Sequence, residues 1–462
     1  MTTRSTSHDL DDAFVRHLIH EHRVCVRPRL DRLWSYYRNT LTPRAATGRS
    51  GRAYTLAQEA GLPPRLIGTP GVHDDDRPGS RREVVVENDI AWRVHLMVDF
   101  LAGRGVTIRS GASDEGTRTR IESVLSAVWE GSGGVALLQD MALLGHVYGH
   151  VDLVLRIDEE AMAGAAGDPS PALADAIRIE LIEPTRGVPI LSPSDYRALD
   201  GYLIHVEHED NALAPRSERS HGDGPGASRR RVTTVETLTP GRRVVERDGR
   251  VVLDESSTLL PDVTPVVHVQ NIAQPFRYAG LSEVEPLIPL QDELNTRLSD
   301  RACRVTMQSF NMYLAKGIDG FDRAPVGPGQ VWSTSNPDAS VQAFGGDASS
   351  PSEDAHIEQI REAMDKASAV PPLAGGVVRA RIGNLSSASA LRITLLALLA
   401  KTERKRLAYG RALTEMNALI LRALDAGGVL PTESRERATS IEWPDPLAEI
   451  AASESAPNTP TR

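Results

Sequence analysis

The chain has 462 residues, enough for two to four domains at roughly 100 to 200 residues each, so one undivided core is not expected. Hydrophobic residues at 40% and charged residues at 25% exclude collagen-like, disordered and membrane-spanning classes. Aromatic residues are only 4%, and 52 basic against 62 acidic residues leave a formal net charge of −10, which together disfavour a conventional basic nucleic-acid binder with stacking platforms.

In chain order, Phe14, Leu18, Ile19, Leu30, Leu33, Trp34 and Tyr37 recur at helical spacing over residues 10–38 and predict two helices parted near Pro28. Residues 41–82, rich in Gly, Pro and Arg, read as loop or extended arm. A helix is expected over 88–101, closed by Gly103 and Gly105, with a short strand over 106–109. Two further helices, 117–130 and 133–146, are separated by Gly131 and Gly133. Strands follow at 151–157, 177–182, 202–207, 232–238 and 263–269, and a hairpin over 243–253 turns at Asp248-Gly249. The polar segment 210–230 reads as a flexible excursion on that sheet.

The C-terminal half changes character. A helix is predicted over 282–312 with Ser282 as N-cap, restricted or kinked by Pro286 and Pro289. Residues 317–352 are rich in Gly, Pro, Ser and Asp and carry two strand-like pieces, 330–333 and 341–344. A helix over 353–369 stops at Pro371-Pro372, and a glycine-flanked loop, 373–384, follows. The longest periodic segment, 387–426, opens at Ser386 or Ser387, closes at Gly427-Gly428, and predicts about 57 Å of helix. The tail from residue 449 is polar and expected to be disordered. The alternation of helical and β-rich stretches makes the fold class α+β.

Chemistry is sparse. Neither a Walker A loop nor a GxSxG elbow occurs, and the GxGxxA fragment at 131–136 follows a helix, not a strand, so it reads as helix punctuation. His146 and His150 stand four apart, but Val147 occupies the position where a zinc protease needs Glu, and Gly149 ends the helix; no metal site is assigned. His8, His17, His20 and His22 read as a solvated helix face, and Asp74, Asp75 and Asp76 lack calcium-loop spacing. Two cysteines, Cys25 and Cys303, cannot build a disulfide framework and fit a reducing compartment. The acidic start of the chain indicates no export, and the longest apolar window, 391–400, is about ten residues against the roughly 20 that span a bilayer. No catalytic residue, cofactor or metal is expected.

One charge feature stands out. Arg379, Arg381, Arg392, Lys401, Arg404, Lys405, Arg406 and Arg411 face a single acid, Glu403, so residues 379–411 carry +7 within a chain that is −10. Contact with a phosphate backbone and ion pairing between subunits are the two readings.

Four blocks resemble the phage portal proteins of the SPP1-like siphophage group: NDIAWRVHLMVDFLAGRGVTIR (88–109), DMALLGHVYGHVDLVLRID (140–158), VVHVQNIAQPFRYAGLSEVEPLIPLQDELNTRLSD (266–300) and PPLAGGVVRARIGNLSSASALRITLLALLAKTERKR (371–406). The resemblance implies a non-enzymatic ring, typically of twelve copies, at one capsid vertex, assembled in the host cytoplasm, through which double-stranded DNA passes without sequence specificity. By position it implies a wing (1–280), a first stem helix (281–316), a clip (317–352), a returning stem helix (353–372), a tunnel loop (373–386), a long wing helix (387–426) and a short crown-like or disordered tail (427–462). Arg379, Arg381, Asn384 and Arg392 would then face the channel. Phe321, Val331, Trp332 and Phe344 would serve the clip, which docks the terminase large subunit and later the head-completion protein. Major capsid and scaffolding proteins are further implied partners; no membrane is. The residues themselves leave open another ring-forming connector or baseplate component, or a metal-dependent enzyme acting on nucleic acid.

Overall fold

The computed structural model describes residues 10–39, 85, 87–164, 176–213, 229–309, 312–316, 335–344, 350–375 and 392–446. Its described residues divide into two compact units, one drawn from Met1–Arg38, Ile90–Leu287 and Asp365–Arg462, the other from Asn39–Asp89 and Ile288–Met364.

The first unit opens with helix α1 (Asp12–Glu21), capped by the Asp11 carboxylate accepting from the Ala13 N–H, and α2 (Arg27–Arg38). The break expected near Pro28 does not occur. Residues His22–Val26 form one π-helical turn, and the backbone stays helical through Arg27, because the missing proline N–H falls where the hydrogen-bond ladder has already shifted register. Helix α3 (Asp89–Ala102) follows, then strand β1 (Thr107–Ser110), α4 (Glu115–Gly131) and α5 (Gly134–Tyr148). Gly149 terminates α5 at φ 94° and is followed at once by β2 (His150–Ile157). A Cβ at Gly149 would lie 2.5 Å from the Gly280 carbonyl oxygen. Gly149→Ala is therefore expected to cost more than about 2 kcal/mol, from left-handed strain plus a backbone collision, read as a fall in thermal midpoint.

Beyond a short helix, α6 (Glu159–Gly164), come strands β3 (Ile177–Ile182), β4 (Gly187–Leu191), β5 (Leu199–Leu213), β6 (Arg229–Thr239), β7 (Arg242–Arg247), β8 (Arg250–Ser256) and β9 (Val266–Gln270). They form two antiparallel sheets, β3-β2-β9 and β4-β5-β6-β7-β8. Asp248 and Gly249 both take positive φ, the two-residue turn that matches strand twist. Val154, Ile182, Tyr202, Ile204, Leu238 and Val266 form one buried cluster joining the sheets. Leu10, Val15, Leu18 and Ile19 of the α1 region cover Val188, Ile190 and Leu203. Part of the expected 210–230 excursion is strand: β5 runs to Leu213 and β6 begins at Arg229, because the Glu209–Arg231 pairing carries the ladder outward.

The long helix is α9 (Leu396–Ala426), 31 residues or about 46 Å; Leu395 leaves the helical conformation and separates it from the helical residues 392–394, and the start expected at 387 lies outside the described residues. Its buried face includes Leu398, Tyr409, Met416, Ile420 and Leu424. Gly428, at φ 68°, lets the chain turn back. Residues 429–446 are no free tail: Val429 and Leu430 are buried, and β12 (Thr439–Glu442) pairs antiparallel with β1, since its alternating pattern supplies the partner β1 otherwise lacks.

The second unit contains α7 (Ile288–Ser309), β10 (Met312–Lys316), β11 (Ser340–Phe344) and most of α8 (Pro351–Ser368). Ser282 does accept from the Glu285 N–H as a cap, but Pro286 delays the α-helix to Ile288 after a 3-10 turn. The helix expected to continue through 312–316 ends at Ser309. Residues 312–316 are instead β10, paired within the chain to β11, because Met312–Lys316 lies opposite Ser340–Phe344 in register. Antiparallel α7 and α8 are tied by Arg301–Asp354 at 3.1 Å, His356–Glu293 at 3.5 Å and the Arg304–Glu353 pair. Glu87 is held between them, its N–H donating to Asn295 Oδ1 and its carboxylate 2.8 Å from Arg361.

Candidate functional site

Helix periodicity puts Lys401 and Lys405 on one face of α9, turned into the first unit. Both are buried, and both reach the same carboxylate. Lys401 Nζ is 2.5 Å from Glu283 Oε2, and Lys405 Nζ is 2.7 Å from Oε1. Glu283 is itself 2% exposed, and its N–H donates to the His146 carbonyl at the end of α5. Burial alone would raise the Glu283 pKa, but Lys405 and Lys401 outweigh it and hold the carboxyl at about 2. Burial lowers Lys405 to about 8 despite Glu283. His146 is fully buried, with Nδ1 2.5 Å from the Ala142 carbonyl, and burial reinforced by Lys405 lowers it to about 3. It is a neutral imidazole packed against the ion cluster.

Lys401 has a second role. Its ammonium also donates to the Ser368 carbonyl at 2.9 Å, so the chain before and after residues 376–391 is fastened at one point. Upstream, the buried Arg93 guanidinium reaches the Val370 carbonyl at 3.2 Å and Asp365 at 2.9 Å, and Trp92 packs so closely on Gly375 that a Cβ there would lie 2.4 Å from the indole. Downstream, Arg392 pairs with Asp445 at 3.0 Å. The basic segment thus leaves from and returns to a rigid base. Arg379, Arg381 and Asn384 lie outside the described residues, as do Phe321, Val331 and Trp332; Phe344 ends β11, opposite Met312.

This changes the reading of the +7 run. Lys401 and Lys405 are consumed by Glu283, and Arg406 is buried against Glu403, the Pro444 carbonyl and the Trp443 ring. Arg404 and Arg411 are exposed. The run is not one phosphate-facing surface, because three of its charges are structural. Counting charges along a sequence cannot distinguish the two.

A second polar cluster sits where β2, β5 and β9 meet. Asp152, 1% exposed, accepts from Tyr202 and Tyr278 hydroxyls at 2.7 Å each and from His268 Nδ1 at 2.6 Å. His268 Nε2 lies 2.7 Å from the Tyr278 carbonyl, so the ring is held from both sides. Burial works to raise the Asp152 pKa, yet His268 and the hydrogen bonds leave it lowered. Gln270 Nε2 adds bonds to the Arg277 and Tyr278 carbonyls. Together these groups fix the loop 271–281. His150 belongs to this neighbourhood and His146 to the other, on opposite sides of the Gly149 turn, so the pair does not share a face. Among the described residues no group of three or more His, Cys, Asp or Glu is placed to hold a metal ion, and no helix is long and apolar enough to cross a membrane.

Residues 261–448 match the phage portal protein family described as SPP1 Gp6-like. The chain resembles the phage portal proteins. That span holds α7 and α8, the β10–β11 pair, α9 and Glu283, but the groups that complete the two buried clusters, Arg93, His146 and Asp152, lie before it. Three similar solved structures come from gene transfer agent particles. They are the virion of the native particle (16% identity, TM-score 0.40, covering 80% of this chain and 86% of that one), the neck of the empty particle computed with C6 symmetry (15%, 0.42, 81% and 88%) and the neck of the native particle computed with C12 symmetry (14%, 0.41, 81% and 87%). No curated protein matches the chain.

Proposed function

We propose that the protein is the subunit of a portal ring, a structural and non-enzymatic conduit at one vertex of a virion through which double-stranded DNA is packaged and ejected. The observation that carries this reading is the portal-family match across residues 261–448, which takes in every element from β9 to β12. In this reading α7 and α8 are the two stem helices, and β10 with β11 belongs to the clip that receives the terminase and then the head-completion protein. Residues 373–386 form the tunnel loop, and α9 is the long wing helix. The ring is a homo-oligomer, twelve-fold by analogy with the family, set among major capsid and scaffolding proteins.

The electrostatics suit a conduit. Each subunit carries −10, so a ring repels the duplex at long range, while Arg379 and Arg381 on a firmly anchored segment steady it locally. With Lys401, Lys405 and Arg406 buried in the subunit, fewer cations remain to hold phosphates, and a conduit must not hold its cargo. Purified protein is expected to form rings with a central channel in negative-stain images; a stable monomer at all concentrations would overturn the reading. Changing Arg379 and Arg381 to Ala is expected to leave rings intact but reduce packaged DNA length and particle yield. Unchanged packaging would remove the DNA-contact role from these residues.

A further inference from the structure

Phe276 is the most exposed large apolar side chain of the described residues, at 84%, and its backbone sits at φ 61°. A bulky residue in the left-handed region carries strain that its surroundings must impose. Here they do: Gln270, His268 and Asp152 clamp the neighbouring Arg277 and Tyr278, and the Leu281 N–H donates to the Ile272 carbonyl to close the loop. The fold therefore holds an aromatic ring out into solvent on a strained support, with the Tyr196 ring 5.9 Å away. That is the form of a preorganised docking anchor.

The same unit contains a matching recess. A cavity of about 310 Å³ lies between β1, α4 and α5, with Ile108, Trp129, Val135, Leu138, Leu413 and Ile441 among its walls. A cavity of about 150 Å³ already accepts a benzene ring. Its exposed rim includes Ser126 and Glu130, while Arg109 on its wall is taken up by Glu442 at 2.9 Å. The anchor is flanked by the exposed Arg277, opposite in sign to Glu130.

Anchor and recess are not neighbours within one subunit. The cavity opens at the N-terminal end of α5, near Gly134, Val135 and Leu138. The Phe276 loop is joined to the other end, where the Asn271 N–H donates to the Gly149 carbonyl. Fifteen residues of helix separate these ends, about 22 Å. Two different, complementary patches near opposite ends of one helix suit a heterologous contact, the kind that closes copies into a ring.

We infer that Phe276 of one subunit seats in the β1–α4–α5 cavity of the next, with Arg277 against Glu130, as an anchor of the ring interface. This deepens the portal reading and rests on it. The occupant is a second copy of this chain, because the two patches of the same chain complement each other in size and in charge, Arg277 against Glu130.

The test measures assembly of the full chain against subunit concentration by sedimentation velocity, with circular dichroism and thermal melting to follow the fold. Phe276→Gly relieves the strain and removes the ring. It is expected to keep or raise the melting temperature while increasing the concentration for half-assembly by about 30-fold or more. Ser126→Trp, on the exposed rim, fills the recess and should weaken assembly in the same way. Arg277→Glu and Glu130→Arg should each weaken it, and the two together should restore it. If Phe276→Gly and Ser126→Trp assemble at the wild-type concentration, the anchor assignment fails and the ring stands. If the wild-type chain never assembles, the portal reading fails and the anchor with it.

Discussion

Glu283→Gln is expected to destabilise the subunit by about 3–5 kcal/mol, among the largest effects of any single substitution in the first unit. The change is nearly isosteric, so the loss is electrostatic: two ammonium groups, Lys401 and Lys405, stay buried with no counter-charge. The Ser368 carbonyl then remains the acceptor for Lys401, and nothing charged remains for Lys405. A second variant separates this from simple repacking. Adding Lys405→Met to Glu283→Gln removes one orphaned cation and should recover part of the stability, whereas Lys405→Met alone should cost much less than Glu283→Gln. The readout is the urea midpoint at pH 7. Equal stability of wild type and Glu283→Gln would mean that the buried pair contributes nothing. Because Lys401 also fastens the two flanks of residues 376–391, Glu283→Gln should open those flanks to proteases before the rest of the unit.

Acid should unfold this protein early. His146 and His150 are held neutral in the fold, at about 3 and about 4, because burial disfavours the charged ring. In the unfolded chain both take up a proton near 6.5. Between those values the unfolded state binds more protons, so stability falls as pH drops from about 6.5 toward 3 to 4. Glu283, depressed to about 2 from an ordinary 4.5, adds the same sign over a lower window, its contribution lost as pH falls from 4.5 toward 2. Each shift spans more than two pH units, so the sum reaches several kcal/mol. Lys405 acts at the other end: lowered to about 8, it makes stability rise from pH 8 toward 10.5. Denaturant midpoints at pH 7.5, 6, 5 and 4 should decline steeply from about 6 downward. A flat profile from pH 7 to 4.5 would contradict neutral burial of the two histidines.

Much of the helical framework could be read from the sequence. Capping residues and apolar periodicity placed α3, α4, α5 and α8 within about two residues of their observed ends, and Asp248-Gly249 marked its hairpin. Three of the differences share a cause, a partner or cover distant in sequence. β4 carries Pro189 and is only five residues long, and it is a strand because β5 and the α1 region cover it. Met312–Lys316 continues the apolar rhythm of α7 and becomes a strand only through Ser340–Phe344. The basic run looked like a surface because its counter-charge, Glu283, stands 118 residues before Lys401. Of the anticipated channel residues, Arg392 is placed, half-exposed and paired with Asp445. Phe276 lay inside a recognised block, yet no sequence signal announces a left-handed phenylalanine.

The pairing of β1 with β12 has a consequence for synthesis. Arg109 and Glu442, bonded across that ladder, are 333 residues apart, and α9, which fills the core of the first unit, precedes β12 only narrowly. At about 5 to 20 residues per second, a ribosome needs roughly 15 to 65 seconds after making β1 to deliver its partner. Until then the edge of β1 has no strand beside it. A chain that stops before β12 would leave the β1 edge unpaired.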